Sequence, residues 1–260
     1  MRKIWTVDAF TNKPYAGNPA AVMIVDEFPE DMQLIAMEMN LSETVFLKQL
    51  GENHFHIRWF TPAVEVKLCG HATLAASHIL FQENKITSSI VQYESLSGPL
   101  SVEKVSDGLV LNFPLQKISD SLDKAHFIQA FNLPTQIVEV VKAYDDVIVL
   151  VDHEDTVKNL VPDFNKLAEL RVRGVIITAP SKQYDFVSRF FGVDCGVHED
   201  PVTGSAHCKL ADFWSKRLNK TEFLAFQASK RGGELKVKIN GDRVLIKGQA
   251  VTIMEGILKT

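Results

Sequence analysis

The chain has 260 residues, 46% of them hydrophobic and 23% charged, with a formal net charge of −4. That is enough apolar material for one large domain or two modest ones, and it excludes wholesale disorder. The negative balance opposes a general attraction to nucleic acid, and no apolar run approaches membrane-spanning length.

In chain order, the opening residues Met1-Arg2-Lys3-Ile4-Trp5 lead to Asp8 without a signal-peptide apolar region. Short β-rich runs follow at 4–7, 20–25, 44–47, 54–60, 90–93 and 109–113. Helical spacing marks 30–40, where Asn40 is a natural terminator, and 70–82. The polar stretch 116–124 reads as a linker. Beyond it, helices are expected at 123–131, 163–169 and 204–218. Strands are expected at 137–143, 147–151, 174–178, 185–191, 222–227, 234–239, 243–247 and 249–257. Asn240-Gly241-Asp242 reads as a hairpin turn. Cys69, Cys195 and Cys208 suggest no disulfide framework. The expectation is a soluble, cytoplasmic protein.

The densest chemical signal is Glu199-Asp200-Pro201-Val202-Thr203-Gly204-Ser205-Ala206-His207. Proline disfavours helix at Asp200, and Gly204-Ser205 then open an apolar helix. Small residues at a helix start leave backbone N–H groups open to an anion. The bland alternative is that Asp200 and Ser205 only cap the helix.

A second copy of the pattern lies upstream. Arg58-Trp59-Phe60 precedes Cys69-Gly70-His71-Ala72, as Arg189-Phe190-Phe191 precedes Thr203-Gly204-Ser205-Ala206. Gly70 aligns with Gly204, and His71 with Ser205, which suggests an internal duplication. Both following helices are apolar around much of their circumference, so each is expected at the centre of its half, wrapped by a curved sheet.

Three upstream side chains could carry chemistry. Glu43 in Leu41-Ser42-Glu43-Thr44 is either a desolvated proton carrier or an exposed carboxylate at a strand start. His71 is either an acid, base or orienting group, or a helix-cap histidine. Cys69 is either a thiolate favoured by the helix N-terminus or a buried thiol. Cys69 and His71 alone do not make a zinc site, so no metal is expected, and no Gly-x-Gly-x-x-Gly or Walker A sequence suggests a nucleotide cofactor.

Four blocks in order resemble the PhzF-like family of phenazine-biosynthesis isomerase homologues. They are Asp8-Ala9-Phe10-Thr11 to Gly17-Asn18-Pro19-Ala20-Ala21-Val22, Asn40-Leu41-Ser42-Glu43-Thr44, Phe60-Thr61-Pro62 to Cys69-Gly70-His71-Ala72-Thr73, and Asp200 to Ala206. The resemblance implies an α/β fold of the diaminopimelate-epimerase type, with two similar lobes, each a curved mixed sheet around a central helix. The lobes would be 1–115 with a return strand at 249–260, and 116–248. It also implies a cofactor-independent homodimer acting on a small acid. The family's catalytic glutamate maps onto Glu43, and its supporting His, Asp and Ser map onto His71, Asp200 and Ser205. Gly70 and Gly204 map onto the glycines that open the two helices and bind substrate.

The resulting expectation is an isomerase in which Glu43, His71, Asp200 and Ser205 share one cleft and Glu43 moves a proton between two carbons of a carboxylate-bearing substrate. One rival is a racemase or epimerase with Cys69 as base; Thr203 opposite Cys69 in the repeat opposes a two-thiol version. The other rival is a non-catalytic small-acid binding protein.

Overall fold

A computed structural model describes residues 2–192 and 197–259, with Val197 by its backbone alone. The chain divides into two compact units, Met1–Phe113 with Leu245–Thr260, and Pro114–Val244. Along the first stretch lie β1 (Arg2–Ala9), β2 (Asn18–Val25), α1 (Met32–Met39), β3 (Glu43–Gly51), β4 (His54–Phe60), β5 (Glu65–Val66), α2 (Gly70–Gln82), β6 (Ile90–Glu94), β7 (Leu100–Val105) and β8 (Gly108–Pro114). The second stretch has β9 (Ile118–Ser121), α3 (Ala125–Phe131), β10 (Ile137–Ala143), β11 (Asp146–Val151), α4 (Glu154–Asn159), α5 (Phe164–Glu169) and β12 (Gly174–Pro180). It continues with β13 (Phe186–Gly192), β14 (Val197–Asp200), α6 (Gly204–Leu218), β15 (Glu222–Gln227) and β16 (Gly233–Asn240). Then β17 (Arg243–Gly248) leads to β18 (Ala250–Leu258).

In the first unit, β1 pairs antiparallel with β18 on one side and β2 on the other. Strands β2 and β3 are parallel, joined through α1, because a parallel pair cannot be closed by a tight turn. Then β3 and β4 are antiparallel, β4 is parallel to β6 across α2, and β6, β7 and β8 form a meander. The helix α2 is buried along almost its whole length, with Leu74, Ile79 and Leu80 fully enclosed. Each such side chain contributes roughly 1.5–3 kcal/mol over an exposed position, so an all-round apolar helix has to be central. The sheet reaches it from several directions: Ser77 Oγ lies 2.6 Å from the Tyr93 hydroxyl on β6, and His78 Nε2 lies 3.1 Å from Thr252 Oγ1 on β18. On the sheet's other face, α1 packs Met32, Ile35 and Ala36 against Ile4, Ala21, Met23, Phe46 and Phe60.

The second unit repeats this topology. Strand β10 is antiparallel to β9 and β11; β11 and β12 are parallel, with α4 and α5 between them; β12 and β13 are antiparallel. Next β13 is parallel to β15 across α6, and β15 is antiparallel to β16. Every pairing type occurs in the same order as in the first unit, and α6 takes the place of α2, its residues 206–214 buried. In the duplication read from the helix starts, the short strands β5 and β14 also correspond: each pairs with the strand that carries the repeated arginine.

Most expected elements are present, but the proposed linker is not a linker. Within 116–124, β9 pairs with β10. Its sequence, Ile118-Ser119-Asp120-Ser121, is polar and largely exposed, so no apolar alternation announced it. The pairing partner, not the local sequence, makes it a strand. Also unexpected were β5, β7, β14 and α4. The helix at Asn40 ends as read, with Asn40 in the left-handed region at φ 48°. Asp163 caps α5 by accepting from the N–H groups of Asn165 and Lys166. Cys69 and Cys208 are free and buried, while Cys195 lies outside the described residues. Among the described residues no helix is long and apolar enough to cross a membrane.

Candidate active site

In the first unit, three local signals deliver polar side chains to the start of α2. Gly17 turns the chain into β2 with φ +65°, and a Cβ there would lie 2.2 Å from the Ala9 carbonyl oxygen. Only glycine fits that conformation and that approach. The next residue, Asn18, is the first of β2 and is fully buried. After the left-handed Asn40 ends α1, Glu43 opens β3, one strand over, opposite Ala20 of β2. Cys69 is the N-cap of α2, and Gly70 and His71 are its first two residues.

These elements bring Glu43, Cys69 and His71 together. Glu43 Oε2 lies 2.9 Å from His71 Nε2, with the carboxylate side chain 15% exposed and the ring 3% exposed. Both atoms are enclosed and neither has a hydrogen-bond partner among the described residues, so their approach is an ion-pair contact by distance and not an aligned hydrogen bond. On the other edge of the ring, Asn18 Nδ2 lies 2.9 Å from Nδ1 and Cys69 Sγ lies 3.5 Å from it. Glu43 is thus no exposed strand-start carboxylate, and the N-cap of α2, Cys69, makes no side-chain cap bond.

The electrostatics separate the three groups. Burial and the Glu43 carboxylate push the Cys69 thiol up to about 11, against the opposing pull of His71. Of the two readings of Cys69, the buried thiol is the one found, because desolvation of the anion outweighs a helix end. For His71, burial works against the charged ring, while a Cys69 thiolate and the Glu43 carboxylate raise its pKa. A thiol with so high a pKa does not supply its charge at neutral pH, which leaves Glu43 as the partner that holds a proton on the ring.

In the second unit, Asp200 ends β14 and Thr203 is the N-cap of α6, again without a side-chain cap bond. The notion that Asp200 or Ser205 caps this helix is not what is found. Instead the Thr203 hydroxyl donates to Asp200 Oδ2 at 2.5 Å. Gln227, at the end of β15, clamps the same turn: its amide nitrogen donates to the Asp200 carbonyl at 2.7 Å and its oxygen accepts from Thr203 N–H at 2.8 Å. Gly204 is buried, and Asp200 and Ser205 are half-buried.

Sequence reasoning missed Asn18 and Gln227 as members of these clusters. Asn18 stood in a quoted motif, with its glycine neighbour as the available signal; Gln227 had no local signal at all. Glu43, Cys69 and His71 each offer one metal-ligating atom within 4.8 Å of the others. They do not fit a shared ion well, because His71 faces Cys69 with Nδ1 and Glu43 with Nε2, on opposite edges of one ring.

Comparison with known proteins agrees across the whole chain. An uncharacterised isomerase of Pseudomonas aeruginosa is 48% identical, with 97% of this chain and 97% of that protein covered. A PhzF-family protein of Enterococcus faecalis, solved by crystallography, superimposes with a TM-score of 0.91 at 39% identity, over 98% of each chain. A probable proline racemase of Agrobacterium radiobacter shares the fold at a TM-score of 0.70 and 11% identity, over 99% of this chain and 93% of that one. The model of the phenazine biosynthesis-like proteins matches residues 7–256. With that span and those relatives, the chain belongs to the PhzC-PhzF family of phenazine biosynthesis-like proteins.

Proposed function

We propose that this protein is a cofactor-independent isomerase that moves a proton within a small carboxylate-bearing substrate, with Glu43 as general acid and base. The observation that carries the reading is the enclosed pairing of Glu43 Oε2 with His71 Nε2 at 2.9 Å beside the N-terminus of α2. Glu43 takes a proton from carbon next to a carbonyl or unsaturated system, and the electron pair spreads into that system. The same carboxyl returns the proton to another carbon, so atoms and charge balance. A carboxylate positioned within reach of the donor carbon gains from orientation as well as basicity.

His71 holds Glu43 and steadies its charge. Backbone N–H groups near Gly70 and His71 bind the substrate carboxylate, as open helix N-termini do. In the same reaction Gly204 and Ser205 carry the equivalent binding task at the start of α6, and Asp200 supports the developing charge. The Cys69 racemase reading is weaker, because the thiol is held protonated to about pH 11. A homodimer belongs to the same reading and is tested by sedimentation equilibrium.

The decisive experiment is an exchange screen. Candidate small acids are incubated with the protein in deuterated water, and label incorporation is read by mass spectrometry. Incorporation at a carbon position, lost on Glu43→Gln, is the expected result. Exchange retained by Glu43→Gln and abolished by Cys69→Ala would replace the isomerase with the thiolate racemase. Tight binding without exchange for any acid would favour a binding protein.

A further inference from the structure

We propose that Gln227 is a positioning residue for Asp200: it orders the hydrogen bonds of the 200–203 turn so that the Thr203 hydroxyl donates to the Asp200 side chain, which then stands as a carboxylate. The inference rests on the reading that Asp200 takes part in the reaction.

The direction of every link is fixed by backbone groups that have one role each. The Thr203 N–H only donates and lies 2.8 Å from Gln227 Oε1; the Asp200 carbonyl only accepts and lies 2.7 Å from Gln227 Nε2. The amide therefore cannot be turned over. Its nitrogen also donates to Thr203 Oγ1, at 3.1 Å. A hydroxyl that accepts from an N–H turns its own proton away from that donor, and the acceptor on the other side is Asp200 Oδ2, at 2.5 Å. Each donor in such a chain polarises the next, so the amide strengthens the bond from hydroxyl to carboxylate. Gln227 and Thr203 are both buried, which keeps the chain out of bulk water.

The first unit supplies a control for a purely structural role. Ser229 Oγ donates to the Pro201 carbonyl at 2.8 Å, and Ser97 Oγ donates to the Lys67 carbonyl at 2.7 Å. Each carbonyl lies two residues before the N-cap of its buried helix, so one serine clasp holds the turn in both units. The same spacing sets Asp200, Thr203 and Gln227 against Val66, Cys69 and Ser95. Ser95 Oγ does not reach back to that turn but donates to the Gly98 carbonyl. The first unit thus holds its turn without a glutamine. The glutamine stands only where a hydroxyl and a carboxylate stand with it, and a hydrogen bond donated to a carboxylate favours its charged form.

The test reads Asp200 directly and needs no substrate. The full chain is labelled with ¹³C-aspartate and its carboxyl signals are followed through an acid titration. The Asp200 signal is identified by its loss in Asp200→Asn. Thr203→Val removes the hydroxyl and should move the Asp200 titration to higher pH by roughly one pH unit, the size of one hydrogen bond to a charged group. Thr203→Ser should restore it. Gln227→Met, of similar size but without the amide, should move it the same way by less, and should add nothing in a Thr203→Val background. Ser229→Ala loosens the turn alone and should leave the titration in place. The charged groups on the packed elements, Glu199 held by Arg189 and Lys230 and Arg231 after Ser229, are the same in all these variants, and His207 on α6 stays neutral. A titration unmoved by Thr203→Val, or by Gln227→Met, overturns the proposal. So does a Gln227→Met shift that persists in full without the hydroxyl, or a Ser229→Ala shift of equal size, since Gln227 would then only hold the turn. If the titration follows Gln227 through Thr203 but Asp200→Asn keeps full solvent exchange, the hydrogen-bond order stands and the role of Asp200 in the reaction falls.

Discussion

The starts of α2 and α6 are built on one frame and carry different chemistry. Ahead of each helix an arginine on the preceding strand forms a two-pronged ion pair with a glutamate five residues before the opening glycine. These are Arg58 with Glu65, at 2.7 Å for both contacts, and Arg189 with Glu199, at 2.7 and 2.9 Å. Each arginine also lies over the phenylalanine two residues on, Phe60 and Phe191. In each helix the fourth residue bonds back to the N-cap carbonyl, Thr73 to Cys69 at 2.5 Å and His207 to Thr203 at 2.8 Å. His207 therefore does in the second unit the structural work of Thr73 in the first, and burial lowers its pKa to about 4, so it stays neutral.

What differs is the set of polar side chains each helix start gathers. Strand β3 opens with Glu43 against His71, whereas β12, its counterpart, opens with Gly174. A Cβ at Gly174 would lie 2.2 Å from the Phe190 ring, so that position has no room for an acid. The start of α6 instead holds Asp200, Thr203 and Gln227 in a fixed hydrogen-bonded turn. The frame occurs twice, but the Glu43–His71 pair stands in the first unit alone, and beside Gly174 the second unit instead buries the ion pair of Lys209 with Asp146. The lesson is that matching frames license a structural alignment, while function has to be read from the side chains each frame carries.

The strongest way to break this comparison is at Glu43. Glu43→Gln should cut solvent exchange by ~10²–10⁴ in rate, the usual scale for losing a general base, while leaving substrate binding nearly intact. Asp200→Asn in the same assay should cost less; an equal or larger loss would move the proton chemistry to the second unit.

Next in size is a difference between the two arginine forks. Arg189 is 10% exposed and also donates to the Val157 and Leu160 carbonyls, while Arg58 is 28% exposed. Breaking a buried pair strands the remaining charge and costs about 3 kcal/mol or more, against about 1 kcal/mol for a more solvated one. Arg189→Ala should therefore lower the denaturant midpoint well below that of Arg58→Ala. Equal midpoints would mean that the frames are energetically alike.

The smallest effects are expected at Cys69. Cys69→Ala should retain most exchange activity, as a buried thiol held protonated is not the base. Its alkylation by iodoacetamide should be slow at neutral pH and accelerate only as the pH approaches 11. Rapid modification at neutral pH, with matching loss of exchange, would show a thiolate and restore the racemase.

Local signals along the chain were enough for much of this. Gly70 and Gly204 opening apolar helices, the left-handed Asn40, and the Asn240-Gly241-Asp242 turn are statements about a few neighbouring residues, where sterics and backbone hydrogen bonds decide. All-round apolar helices also force a central position, because no other place removes every face from water. The likeness of four motif blocks to a known family went further than these local rules and singled out Glu43, which the residues alone left as an acid or an exposed carboxylate.

Only the tertiary structure decided the rest, since it depends on contacts between residues far apart in sequence. Glu43 meets His71 because parallel pairing sets β3 beside β2 and α2 packs on both; nothing in Leu41-Ser42-Glu43-Thr44 encodes that. The polar run at 118–121 became a strand because β10 offered a free edge. The Cys69 thiol is raised rather than lowered because burial, a property of the whole fold, outweighs the local helix end. Gln227 reaches Asp200 and Thr203 across 27 and 24 residues. Sequence determines what each segment prefers by itself; the packed fold determines which charges lose their water and which partners replace it.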